Sequence, residues 1–144
     1  MLEQQVSTVT IETPGRGLLE ITGQVRACCA ESRIREGLLT LFLRHTSASL
    51  LVQENADPVV RQDLERFFAR LVVDGDALFK HRTEGADDMP AHVRSALTAT
   101  QLSIPIIGGR LALGTWQGIY LWEHRLRGHA RELVMHAIGE RSSR

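Results

Sequence analysis

The sequence is short of most features that make a function easy to read. Its 144 residues include two cysteines, four prolines and one tyrosine, and only 5% are aromatic. The cysteines, Cys28 and Cys29, are adjacent, and neighbouring residues cannot easily reach unstrained disulfide geometry because their Cβ vectors diverge. A structural disulfide is disfavoured, and nothing argues for an oxidising compartment. Net charge is missing too, since 17 basic residues cancel 17 acidic ones. Binding driven by bulk charge, to nucleic acid or to an anionic membrane, loses its main support. No apolar run exceeds five residues, far short of the ~20 needed to span a bilayer. The stretch MLEQQVSTVTIETP has no basic n-region and no apolar core, so no signal peptide is read there. The expectation is a cytoplasmic protein with a local site.

What is present is an average globular composition, 43% apolar and 24% charged, in a chain of ordinary single-domain length. Such a chain buries roughly two thirds of its unfolded surface and needs neither metal nor disulfide to fold. We read residues 1–144 as one domain. Val6–Glu12 alternates apolar and polar residues and is rich in β-branched ones, which predicts a strand. After Pro14-Gly15 comes a second alternating stretch, Leu18–Val25, and then a helix over Ala27–Glu36 that stops at Gly37. Leu38–His45 and Ser49–Glu54 are strand candidates. Asp57-Pro58 opens the clearest helix, with apolar residues recurring at Val60, Leu64, Phe67, Phe68, Leu71 and Val72. Pro90 opens another short helix through about Thr98. The remainder is strand-like, with a hairpin signal at Gly108-Gly109. The pattern predicts an α+β sandwich of mainly antiparallel sheet, with the Asp57 helix covering one face.

Three histidines, His45, His81 and His92, lie in polar breaks near carboxylates or hydroxyls. If a helix begins at Asp88, that residue and His92 project the same way. Histidine with carboxylate suits zinc and related ions, and three protein ligands leave a position open for chemistry. Read structurally, Asp88 is a cap and His45 a strand-end residue bonded to a carbonyl. His124, His129 and His136 read as structural or surface residues, with HRLRGHARE as a solvated turn. In HTSASLLVQENADP, the hydroxyls of Thr46, Ser47 and Ser49 and the amides opening the Asp57 helix suit a phosphate or carboxylate; a turn with a capping box explains them equally. Glu54 and Asn55 are not needed for that cap. In GTWQGIYLWEH, glycines flank Thr115-Trp116-Gln117, which marks either a close approach to a ligand or a core tryptophan beside a turn.

At these residues the sequence resembles the small YjbQ-like family, to which a secondary thiamine-phosphate synthase activity is attributed. The matching blocks are His45-Thr-Ser-Ala-Ser with Glu54-Asn-Ala-Asp57-Pro, the His81 segment through Asp88-Met-Pro-Ala-His92, and Gly109 through Glu123. Together they span the chain from about Val6; His124 is a departure, since a less basic residue is expected there. The resemblance implies an α+β sandwich assembled as a homotrimer. It implies a divalent ion (zinc, magnesium or manganese) at His45, His81 and His92. Glu54, Asp88 and Gln117 then serve in catalysis, while Thr46, Ser47, Asn55, Asp57 and Trp116 contact a phosphorylated or anionic small molecule. The implied reaction joins a pyrimidine diphosphate to a thiazole phosphate and expels pyrophosphate, with Arg44, Lys80, Arg82 and Arg110 as cations. A non-catalytic anion-binding trimer is the alternative, and a purely structural trimer the third reading.

Overall fold

The computed structural model describes residues 1–141; residues 142–144, the end of the 1–144 domain read from the sequence, lie outside them. The elements are β1 (Leu2–Glu12), β2 (Gly17–Glu20), α1 (Thr22–Ser32), β3 (Ile34–Leu43), β4 (Ala48–Glu54), α2 (Pro58–Leu71), α3 (Asp88–Leu97), β5 (Gln101–Ile107), β6 (Arg110–Leu111), β7 (Gln117–Glu123) and β8 (Ala130–Arg141). Two antiparallel sheets form, one in the order β1-β8-β3-β5-β6 and one in the order β2-β7-β4. The α+β sandwich expected from the alternation is the fold observed. No helix is long and apolar enough to cross a membrane.

Period-two patterning builds the core. Leu39, Leu41 and Leu43 of β3 and Leu133, Met135 and Ala137 of β8 face inward from the larger sheet. They meet Leu50, Ile119 and Leu121 of the smaller sheet, with Val25, Cys28 and Cys29 of α1 beside them. Each such aliphatic chain contributes roughly 1.5–3 kcal/mol on leaving water.

Two local readings are corrected. Residues 22–25 begin α1 instead of continuing a strand, and the helix ends at Ser32, before Gly37. Its left-handed cap is Arg33, at φ 60°, whose N–H bonds the Ala30 carbonyl. Gly37 lies in β3 opposite Gly139 of β8. A Cβ built on Gly37 would stand 2.1 Å from the Ile138 carbonyl oxygen, so this glycine serves a close approach of two strands.

The Asp57 helix forms as read, with the Asp57 carboxylate accepting from the Val59 amide at 2.9 Å. Its cover is partial. Phe68 meets Trp122 edge to face with ring centroids 4.8 Å apart, while Phe67 and Leu71 remain exposed.

The sheets are joined by buried polar groups. Arg131 of β8 donates from Nε to Glu123 Oε1 of β7 at 2.8 Å, and Thr13 Oγ1 donates to the same oxygen at 2.6 Å. Burial works to raise the Glu123 carboxyl, but the bonds from Arg131, Thr13 and the Arg125 amide outweigh it and hold it below the usual range. Next to it, His124 is wholly buried, with Nε2 2.8 Å from Ser49 Oγ and Nδ1 without a partner among the described residues. Burial first, then the charge of Arg94, lowers its pKa to about 3.

Two predictions follow from this packing. Gly37→Ala should lower stability by on the order of 3 kcal/mol in urea denaturation. Gly23→Ala, with nothing within 4 Å of its built Cβ, should be neutral or stabilising; equal losses in both variants would refute the close-approach reading. The second concerns pH. Below 6.5 the unfolded chain binds a proton at His124 that the folded chain refuses until about 3. The contribution of neutral His124 is therefore complete above that upper value and drains away as pH falls. Between pH 7 and 5 the loss amounts to about 2 kcal/mol. His124→Gln should lose less than half as much over that interval, the remainder including His45, which burial also lowers; an undiminished loss would refute the assignment.

Candidate metal centre

Asp88 is the first residue of α3, so its side chain and that of His92, one turn later, share a face. The preceding loop returns His81 to the same point. Asp88 Oδ2 lies 2.7 Å from His81 Nε2 and 3.2 Å from His92 Nε2. Among the described residues this is the only group of three such side chains placed to hold an ion. The carboxylate is almost fully buried, whereas His81 is exposed and His92 half-buried, so one side of the group is open.

Two further contacts fix the group. His92 Nδ1 donates to the Thr46 carbonyl at 3.0 Å, which sets the ring and directs Nε2 at Asp88. Arg125 occupies the other oxygen of Asp88, with Nη1 3.0 Å from Oδ1, and also reaches Asp87 Oδ2 from Nε at 3.0 Å. Burial tends to raise the Asp88 carboxyl, but His81, His92 and Arg125 together hold it below the usual range. Asp88 therefore stays ionised with one oxygen committed and one directed at the histidines.

The other expected site residues are distributed differently. His45 stands outside the group, a correction to the three-histidine reading. Its Nε2 accepts the Glu132 amide at 2.7 Å, so the lone pair a metal would need is already used. Thr46 contributes its carbonyl, and the Ser47 carbonyl accepts from the His124 amide and from Arg131.

Glu54, Asn55, Asp57, Trp116 and Gln117 gather at the far end of the β4–β7 pair. In its register Ala48 faces Glu123 and Glu54 faces Gln117, a span of about 20 Å at strand rise. There Glu54 accepts the Asp57 amide at 3.2 Å, Asn55 donates to Glu20 at 3.2 Å, and Gln117 accepts the Gly114 amide at 2.7 Å. Trp116 is 64% exposed and is no core residue. Within one chain, these five do not meet the histidines.

The cations also divide. Arg82 shares a small pocket with His81, and Lys80 adjoins it in sequence. Arg44 pairs with Glu132, and Arg110 lies on β6, at the edge of the larger sheet. Sequence reading missed Arg125, placed in a solvated turn; its one visible signal is the acidic pair Asp87-Asp88, which has no basic neighbour in sequence.

Comparison with known proteins places the chain and its fold in a family. The family described as "UPF0047 protein YjbQ-like" matches residues 7–140. A UPF0047 protein of Synechocystis is 53% identical over 137 residues, 95% of this chain and 93% of that one. YjbQ of Escherichia coli O157:H7 is 46% identical over 134 residues, 92% and 96% of the two chains. Among solved structures, a hypothetical protein of Aeropyrum pernix K1 superposes with a TM-score of 0.84 at 30% identity, covering 94% of this chain and 99% of that one. A YjbQ/UPF0047 family protein of Clostridium acetobutylicum gives a TM-score of 0.82 at 30% identity, covering 91% and 98%. The chain belongs to the UPF0047, or YjbQ-like, family.

Proposed function

We propose that His81, Asp88 and His92 hold one divalent metal ion and that the protein acts beside it on a phosphorylated or anionic small molecule. The observation that carries this reading is the environment of His92. Both of its ring nitrogens face acceptors, the Thr46 carbonyl and the Asp88 carboxylate. A neutral imidazole has one N–H. With that proton on Nδ1, the Nε2 lone pair opposes a carboxylate oxygen unless a proton or a cation lies between them. A metal ion resolves the conflict, and the Nδ1–H···O=C bond is the usual support of a ligating histidine.

The donor set fits. Asp88 Oδ2 lies 2.7 and 3.2 Å from the two imidazole Nε2 atoms, and the three donor atoms all lie within 4.8 Å of one another, so one ion could be held by all three. Two imidazoles and one carboxylate favour zinc or manganese over magnesium, which prefers oxygen. When bound, such an ion supplies positive charge to a phosphate or diphosphate leaving group. The chain's own residues do the rest. Arg125 holds Asp88 in place, Thr46 orients His92, and Lys80 and Arg82 add charge on the exposed side.

Within this reading, the finer proposal is secondary thiamine-phosphate synthesis. The thiazole nitrogen forms a C–N bond to the pyrimidine methylene carbon while the C–O bond breaks, and pyrophosphate leaves with the electron pair. The second reading, an anion-binding module without turnover, draws on Arg125, which already balances the charge of Asp88 without an ion.

We also propose a homotrimer. The outward face of the larger sheet carries Val6 (62% exposed), Phe42 (48%) and Ile107 (61%) as well as Leu38 and Ile138, with a polar row of His136, Thr40 and Ser103 between Phe42 and Leu38. Apolar side chains exposed at this number on one sheet face fit burial against other copies.

Elemental analysis should find about one zinc or manganese ion per chain in the purified protein. His92→Ala, with unchanged circular dichroism, should retain less than a tenth of that. No metal in either protein after incubation with zinc or manganese overturns the metal reading, and phosphate stabilisation under those conditions favours the binding module. In sedimentation equilibrium the wild type should weigh three times the 16.1 kDa chain, and Phe42→Glu should shift it towards the single-chain mass. A wild-type monomer refutes the trimer.

A further inference from the structure

A second concave site lies at the other end of β3. The β5–β6 hairpin turns through Gly108 and Gly109, at φ 58° and 79°, and the Gly109 amide bonds the Arg35 carbonyl near the start of β3. The metal-centre residue Thr46 follows the strand's other end. Arg35 and the strand's end at Leu43 are eight residues apart, about 26 Å at strand rise. Between this hairpin and α1 opens a cleft of about 330 Å³, lined by Arg26, Cys29, Ala30, Gly109, Arg110 and Leu111.

The charges around this cleft are unbalanced. Arg26 comes from α1 and Arg110 from β6, and both line it. Arg35 lies against the same turn, its Nη1 3.8 Å from where a Cβ on Gly109 would be. None of the ion pairs among the described residues uses Arg26, Arg35 or Arg110. Glu31, near the end of α1, pairs with none of them, and Glu36, which accepts the Gly108 amide at 3.0 Å, sets one negative charge at the turn against the three arginines.

The floor carries no charge. Leu111 and Cys29 are buried, and burial, then the neighbouring Cys28, pushes the Cys29 thiol up. The cleft is thus lined by two arginines beside apolar, neutral residues, and a guanidinium matches the oxygens of a phosphate two at a time. Its volume is at the lower end for a small-molecule site, enough for a diphosphate.

We propose that this cleft binds a phosphate-bearing small anion, with Arg26 and Arg110 as the forked donors and Arg35 at the rim. The site is separate from the histidine group and stands whether or not that group holds a metal. The test is calorimetric titration of the full-length protein with inorganic pyrophosphate and with inorganic phosphate, in the presence of a chelator. Pyrophosphate should bind more tightly than phosphate, and more weakly as salt rises. Arg26→Gln/Arg110→Gln should weaken it at least tenfold, while His92→Ala should leave it unchanged. No heat of binding up to ~10 mM pyrophosphate, or full binding in the double arginine variant, overturns the proposal. Loss of binding in His92→Ala alone would also overturn it, because the anion would then sit at the histidine group.

Discussion

The arrangement depends on one buried carboxylate. Glu123 ends β7 in the smaller sheet and is held by Arg131 of β8 in the larger, so the pair crosses the sandwich where the two layers must stay in register. Thr13, just beyond β1, bonds the same oxygen. An ion pair this deep is no net source of stability against a well-packed apolar substitute, because desolvation consumes most of its attraction. What it supplies is position, since a carboxylate with three donors around it has one favourable place to be. Its second oxygen accepts the Arg125 amide at 3.1 Å, which starts the turn that follows β7.

That turn carries the constraint to the candidate site. Arg125, fixed at its amide by Glu123, reaches Asp87 and Asp88 and accounts for one oxygen of the latter. The histidines then share a single carboxylate oxygen instead of competing for two. A flexible aspartate could turn away from an ion or bind it through both oxygens. This one offers a single ligand atom in a fixed direction, which is what a site with an open position requires. The chain runs from a joint between sheets, through a backbone amide, to the acceptor between two imidazoles. Each link is buried or half-buried and therefore little screened by solvent.

Features written in neighbouring residues were legible in the sequence. Asp57-Pro58 opens a helix because cap and fixed φ act within one turn, and Gly108-Gly109 makes a hairpin because both positions need positive φ. The pairing of Asp88 with His92 depends only on helical period. What failed required knowledge of a distant strand. Gly37 resembles a helix stop, but its reason for being glycine is the carbonyl of Ile138, about a hundred positions away. Arg33 ends α1 in a conformation that favours glycine, and no local signal marks it. His45 matched the family pattern, yet its nitrogen is taken by the Glu132 amide. Glu54 and Gln117 share a block pattern with the histidines but, within one chain, face each other at the far end of a strand pair.

The balance of charge shows the same limit from the other side. A net charge of zero removes the long-range attraction that would gather a polyanion over the whole surface. It says nothing about how the charges are matched. Arg16, Arg94, Arg125 and Arg131 all meet carboxylates, and Glu123 or Asp88 is among those partners. Around the hairpin cleft the matching fails: Arg26 and Arg110 line it and Arg35 lies against its turn, and none of the three is in an ion pair among the described residues. A neutral protein can therefore hold a strongly cationic cleft, provided that an excess of acid lies elsewhere. Recognition then acts over the few ångströms of a forked hydrogen bond, with little help from long-range steering, and selectivity rests on how the arginines are placed.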